Sequence, residues 1–219
     1  MSSPDSFIEE VTEEVRRDKL FAAFRKYGWI GIVSVIAIVG GTAYNEWQKS
    51  QAATRAQHFG DALTAAMQLA TPAERATALA AVAVDGAQQS PKALLLAAQA
   101  EKPEALAALQ ALAADASQPQ VYRDLAGLRA IMLAGKDQPL AERRSQLEAL
   151  AVPGRAFASL AKEQLAYLLI EEGKTAEAIT ALGDLIQDQT APAGLRSRAG
   201  EMITALGGTP PEAAATDAG

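Results

Sequence analysis

The 219-residue chain has no cysteine and a single histidine, His58. The first absence excludes a disulfide framework, a thiolate zinc site and a thiol nucleophile. The second leaves His58 without a partner for an ordinary histidine-rich metal site, so it reads as a solvated or headgroup-facing residue. Aromatic residues are only 5 % of the chain, although hydrophobic residues are 49 %. The apolar content is therefore alanine and leucine, which form helices well, while β-branched and aromatic strand formers are scarce outside one stretch. An excess of positive charge is missing too. The net charge of −6 and pI near 4.9 do not supply the basic field that a nucleic-acid surface needs. Arg143–Arg144 and Arg196–Arg198 read as isolated pairs on solvated helix faces.

The exceptional stretch is Tyr27 to Trp47, YGWIGIVSVIAIVGGTAYNEW, with no charged residue from Tyr27 to Tyr44. As a helix it would be roughly 30 Å long, the thickness of a bilayer's hydrocarbon core. Tyr27 and Trp29 stand at one end, Tyr44 and Trp47 at the other, where amphipathic rings favour a membrane–water interface. Arg25 and Lys26 precede the run. The stretch predicts one membrane-spanning helix. A buried core helix would carry a polar stripe, which Ser34 and Thr42 do not make. A signal peptide cleaved after Ala43, with Gly41 and Ala43 at the small positions, is the stronger rival. The preceding 26 residues, long and rich in glutamate, are unlike a short basic n-region and favour a retained anchor. Ala37 and Gly41 form a small-xxx-small pair that could let another membrane helix pack closely, although such pairs are common by chance.

Before the run lie Arg16, Arg17, Lys19, Arg25 and Lys26; in a comparable window after it lie only Lys49 and Arg55. The asymmetry places the N-terminus in the cytoplasm and the larger part of the chain across the membrane. Residues 1–26 read as a cytoplasmic amphipathic segment, with Ser6 to Glu9 as a capping box and Ile8, Val11 and Val15 on one face. Residues 27–47 are the span, 48–207 a helical domain and 208–219 a tail expected to lack packing residues and order.

After Trp47 the apolar spacing persists to about Ala70. Thr71-Pro72-Ala73-Glu74 predicts a capped helix start, with the helix running to about Val84. Further helices are expected over about 90–99, 102–114, 120–134, 140–151, 156–172, 176–188 capped by Thr175, and from Pro192 to Gly207. Short connections between consecutive helices predict an all-α, tetratricopeptide-like solenoid of hairpins. Leu165, Ala166, Leu169, Gly173, Ala178, Leu182 and Ile186 follow the tetratricopeptide spacing. Ala166 and Ala178 would be the close-contact positions and Gly173 the turn. The usual first tryptophan is replaced by Lys162, and the closing proline is displaced to Pro192.

No nucleophile and base recur at catalytic spacing. The carboxylate pairs Glu171–Glu172 and Asp184/Asp188 read as exposed helix surface rather than an acid–base site. Gly40–Gly41 and Gly207–Gly208 lack the Lys-Ser/Thr of a phosphate loop. The expectation is a non-enzyme with no cofactor, no small-molecule substrate and no nucleic-acid partner.

The order of parts resembles the bacterial YfgM-type ancillary subunits of the SecYEG translocon, in their alphaproteobacterial branch. The residues that carry this are FIEEVTEEVRRDKL at 7–20, Lys26-Tyr27-Gly28, Tyr122-Arg123-Asp124-Leu125-Ala126, and APAGLRSRAGEMITALG at 191–207. The resemblance implies a single-span inner-membrane protein with a periplasmic tetratricopeptide-like domain. It implies partners in the translocon and among periplasmic proteins and chaperones, beside the inner-membrane lipid itself. The alternative is a structural subunit or assembly factor of another inner-membrane complex, such as a respiratory one.

Overall fold

The computed structural model describes the backbone of residues 4–84 and 86–211, and the side chains of residues 25, 26, 29, 30, 33–84, 86 and 88–211. Among them the chain is all-α, with nine α-helices and no strand. It divides into two compact units, residues 1–60 and 61–219. The first α-helix, α1 (Pro4–Met67), therefore supplies the whole of the described first unit and the opening of the second. It begins before Ser6, so Ser6 lies within the first helical turn and is not its N-cap.

The second unit contains α2 (Pro72–Ala81), α3 (Gln89–Ala97), α4 (Lys102–Ala114), α5 (Gln120–Ala134), α6 (Leu140–Leu150), α7 (Ala158–Glu171), α8 (Thr175–Gln187) and α9 (Ala193–Ala205). Thr71 and Glu74 make the full capping box that opens α2. The Glu74 amide donates to Thr71 Oγ1 at 3.2 Å, and the Thr71 amide donates to Glu74 Oε2 at 3.0 Å. These two bonds satisfy helix-end donors that have no partner within the helix. The helix stops at Ala81, short of Val84, because Val82 turns extended. The exposed carbonyls there are met instead by Lys92 Nζ, 2.8 Å from Ala80 O and 2.7 Å from Val82 O. Similar cross-helix capping recurs. Arg75 Nη1 reaches Leu69 O and Ala70 O just after α1, and Arg129 reaches Leu94 O in α3. Such bonds fix where the orphan carbonyls of one helix meet a cation on another.

Prolines set three later starts. Pro119, Pro139 and Pro192 precede α5, α6 and α9 in extended conformation, each with φ near −55°. Thr175 opens α8 as its first helical residue. The N-cap is Lys174, with no side-chain cap, so Thr175 does not cap α8. Glycines close α7 and α9. Gly173 and Gly207 have φ of 77° and 80°. Lys174 N donates to Leu169 O, and Gly208 N to Ile203 O, each at 2.9 Å. These are Schellman closures.

Each helix of the second unit packs on its neighbours in sequence, and the buried side chains fall into three clusters. Leu94, Leu109, Leu112 and Ala126 join α3, α4 and α5. Leu128, Ile131, Leu147, Leu150 and Leu168 join α5, α6 and α7. Ala166, Leu182, Leu185, Leu195 and Ile203 join α7, α8 and α9. Helices α5 and α7 thus feed a cluster on each side, as the middle members of a row of helices do. The tail, expected to lack packing residues, packs as far as Pro211. Gly208, Pro210 and Pro211 are half-buried on α8 and α9. Residues 212–219, the rest of that expectation, lie outside the described residues.

An internal repeat runs through the second unit. Shifted by 73 residues, α4–α5 overlays on α8–α9 in sequence: Glu104 with Glu177, Leu109 with Leu182, Leu112 with Leu185, Arg123 with Arg196, Ala126 with Ala199, Gly127 with Gly200. The connection is the same piece of chemistry twice. Asp115 Oδ1 accepts from the amide and hydroxyl of Ser117, and Asp188 Oδ1 from those of Thr190. Pro119 and Pro192 follow, each in its place two residues later.

Candidate functional site

Two surfaces stand out. The first is the apolar run of α1. Trp29, Tyr44 and Trp47 keep 62 %, 59 % and 58 % of their surface exposed, and Ile30, Val33, Val35, Ile36, Ile38 and Val39 are similarly uncovered. Arg25 and Lys26 before them are exposed as well. Tyr44 and Trp47 lie with ring centroids 6.1 Å apart, and Gln48 Nε2 donates to the Tyr44 hydroxyl at 3.0 Å. Thr42 turns its hydroxyl onto Ile38 O and Val39 O, at 3.0 and 2.9 Å, which satisfies that hydroxyl without an outside partner. No atom beyond the helix's own backbone lies within 4 Å of a Cβ built at Gly41, which stands one turn after Ala37. Among the described residues no helix is long and apolar enough to cross a membrane. The side chains of residues 27, 28, 31 and 32, which belong to the sequence's run, lie outside that description, and Tyr27 with them.

The second surface is a hollow of about 380 Å³ between α4, α5 and α6. Its floor is small and apolar, with Ala113, Gly127, Ala130 and Ile131. A Cβ placed on Gly127 would lie 3.8 Å from Ala113 Cβ, so the two helices approach closely at the floor. The rim carries amides: Gln110 on α4, Gln138 before α6, and Gln146 on α6. Gln138 Nε2 donates to Gln146 Oε1 at 3.2 Å, and Gln146 Nε2 to Glu142 Oε1 at 3.3 Å. A primary amide carries both donors and acceptors, the pairing that a peptide group needs. The volume falls in the range of small-ligand and peptide sites.

Most of the charged side chains singled out by sequence are paired within the fold, while Asp184 stays on exposed helix surface. Arg143 is buried, not solvated. It holds Glu171 with two bonds, at 3.0 and 2.7 Å, and donates through Nε to Gln138 O. Arg144 lies 2.7 Å from Glu172, which also receives Lys174 at 3.0 Å. The Arg143 guanidinium holds the Glu171 carboxyl below the usual carboxylate range, and Lys174 and then Arg144 do the same for Glu172. The Thr190 hydroxyl, ahead of Lys162, lowers Asp188. These carboxyls are therefore ionised and occupied, which is opposite to what a general acid requires. Arg198 is paired too, with Glu163. Glu163 and Asp124 are buried, which nothing in their local pattern marks. Glu163, its side chain 3 % exposed, accepts from Arg198 Nε and Nη2 and from the Tyr167 hydroxyl, each at 3.1 Å. Asp124 Oδ1 accepts from Arg155 Nη1 at 2.6 Å and from Gln120 Nε2 at 2.5 Å. Their arginine partners stand 35 and 31 residues away, beyond any local helical spacing.

His58 is exposed on α1. Among the described residues no three histidine, aspartate or glutamate side chains gather as a metal site. Of the repeat positions, Ala166, Ala178 and Leu182 are fully buried, Leu165 is half-buried, and Gly173 turns the chain between α7 and α8. No protein-family model, curated protein or solved structure matches the chain.

Proposed function

We propose that the chain is a membrane-anchored, non-catalytic interaction scaffold of the bacterial inner membrane. Its apolar run at residues 27–47 is the single span, its N-terminus is cytoplasmic, and its helical domain is periplasmic and tetratricopeptide-like. The observation that carries the reading is the uncovered apolar face of α1 between Trp29 and Trp47, which nothing else among the described residues of its unit shields. Exposed apolar surface of that extent calls for lipid or a partner. Lysine and arginine before the run, aromatic rings at its ends and the internally satisfied Thr42 suit lipid. The domain then supplies a row of helices with an amide-rimmed hollow and, among the described residues, carboxylates held in ion pairs, which suits binding rather than turnover. Tethering acts by raising the local concentration of that surface at the membrane.

The resemblance to YfgM-type subunits names the complex: an ancillary position at the SecYEG translocon, with exported chains or their chaperones as clients. Photo-crosslinkers at Ile36 and Val39 are expected to capture translocon subunits, and crosslinkers on α4–α6 to capture periplasmic proteins. Anchor crosslinks confined to an unrelated complex would replace this assignment with the structural-subunit reading. A size measurement on the mature protein tests the anchor itself, since a chain that starts at Tyr44 would have lost it as a signal peptide.

A further inference from the structure

We propose that the hollow between α4, α5 and α6 binds an extended, proline-containing segment of another polypeptide. The warrant is the internal repeat. The corresponding place on α8–α9 is occupied, and its occupant is known. There the chain's own Gly208 to Pro211 lies against the two helices. Pro210 Cβ is 3.9 Å from the Cβ position of Gly200, and Pro211 Cγ is 3.8 Å from that of Gly183. Gly200 is the counterpart of Gly127 in the hollow's floor, and Gly183 the counterpart of Gln110 on its rim. In both copies the floor glycine is packed by the same preceding position, Ala113 in one and Ile186 in the other, each with an atom 3.8 Å from the glycine's Cβ position. One seat therefore occurs twice in the fold, filled at α8–α9 and open at α4–α5.

The differences between the copies fit a ligand that is not covalently attached. Ala113 and Ala130 stand where the filled seat has Ile186 and Ile203, so the open seat is roomier. Gln110 replaces a glycine, and Gln138 before α6 and Gln146 on α6 line the same hollow, so amides are offered to a visiting backbone that the resident tail does without. Among the described residues the tail is held by ring contacts and by the bond from Gly208 N to Ile203 O. Consecutive prolines are already extended before binding, so their ordering cost is small and their rings suit a shallow apolar floor. A segment with that chemistry is recognised by shape and backbone, which suits a scaffold that meets many chains. The inference rests on the scaffold reading only in taking polypeptide as the ligand.

The test uses the full chain and a fluorescent peptide, Gly-Gly-Thr-Pro-Pro-Glu-Ala, the sequence of residues 207–213. Saturable binding is expected, weakened about tenfold or more when both prolines of the peptide are alanine. Gly127→Leu, which fills the floor, and the double change Gln110→Ala with Gln146→Ala, which strips the exposed rim, should each weaken it by a similar factor. The rim variant leaves helix packing alone and decides the matter should Gly127→Leu fold poorly. Two results would overturn the proposal. One is no binding by the folded wild-type chain. The other is binding that survives both variants but is lost with Gly183→Leu, since the peptide would then be displacing the resident tail. Neither result bears on where the anchor crosslinks, so a failure here leaves the membrane assignment standing.

Discussion

At the scale of single residues, Gly173 and Gly208 do different work. Gly173 has φ of 77° with open space around its Cβ position. Its role is conformational, and any side chain costs backbone strain alone. Gly173→Ala should destabilise the second unit by about 1 kcal/mol in urea denaturation; an unchanged midpoint would show that the α7–α8 turn tolerates an L residue. Gly208 is a matter of space instead. A Cβ there would come within 2.9 Å of Ile203 Cγ2 and 3.1 Å of Ile179 Cδ1, so Gly208→Ala should cost about 1–3 kcal/mol through overpacking. Glu163 is the third informative position. Its removal as Glu163→Ala would leave Tyr167 and Arg198 without their acceptor. The Arg198 side chain is 53 % exposed and can return to water, so the loss should be about 2 kcal/mol, below that of a fully enclosed pair. Arg198→Ala should cost less than Glu163→Ala, and the reverse order would mean that the carboxylate is not the buried partner that matters.

Among the elements, the legible ones were those with local chemistry. Thr71 and Glu74 sit three apart and make a capping box whatever the rest of the chain does; Thr71→Ala should shorten α2 and cost about 1 kcal/mol, read from the thermal midpoint. Prolines before α5, α6 and α9 act equally locally, which is why those starts are visible in sequence. The end of α2 was not, because Lys92 and the extended Val82 decide it from outside the helix. Nor was the pairing of Arg143 with Glu171, 28 residues apart, since a basic doublet on an isolated helix looks the same whether solvent or a carboxylate faces it. The repeat is hidden from a pattern match for a different reason. A family's pattern favours α7–α8, whereas the clearer similarity is of α4–α5 to α8–α9, visible only when the chain is set against itself at one fixed offset. Gly127 is unremarkable in a helical stretch until Gly200 shows what lies over it.

For the molecule as a whole, seven lysine and arginine side chains among the described residues of the second unit pair with carboxylates, six of them on another helix or its connection. Glu171 is lowered by Arg143, Glu172 by Lys174 and Arg144, Asp137 by Lys102, and Asp188 by Thr190 and Lys162. All shift in one direction, so their effects on stability add. A carboxyl whose folded value lies below its unfolded value stabilises the fold at any pH above the unfolded value. That contribution shrinks as the pH drops beneath the unfolded value and is lost once it passes the folded one. The unfolded values are those of ordinary carboxyls, about 4. The melting temperature should therefore be flat from neutral pH down to about 5 and fall steeply below about 4, with the helical circular dichroism signal lost in one transition. Raising the salt concentration at neutral pH should lower the midpoint less than acidification does, because Arg143–Glu171 is part-buried and poorly screened. The charge-neutral variant Arg143→Gln with Glu171→Gln isolates this pair. Its acid transition should be shallower than that of the wild type, while a curve that superimposes on the wild type would mean that the ion pairs do not set the acid stability of the domain.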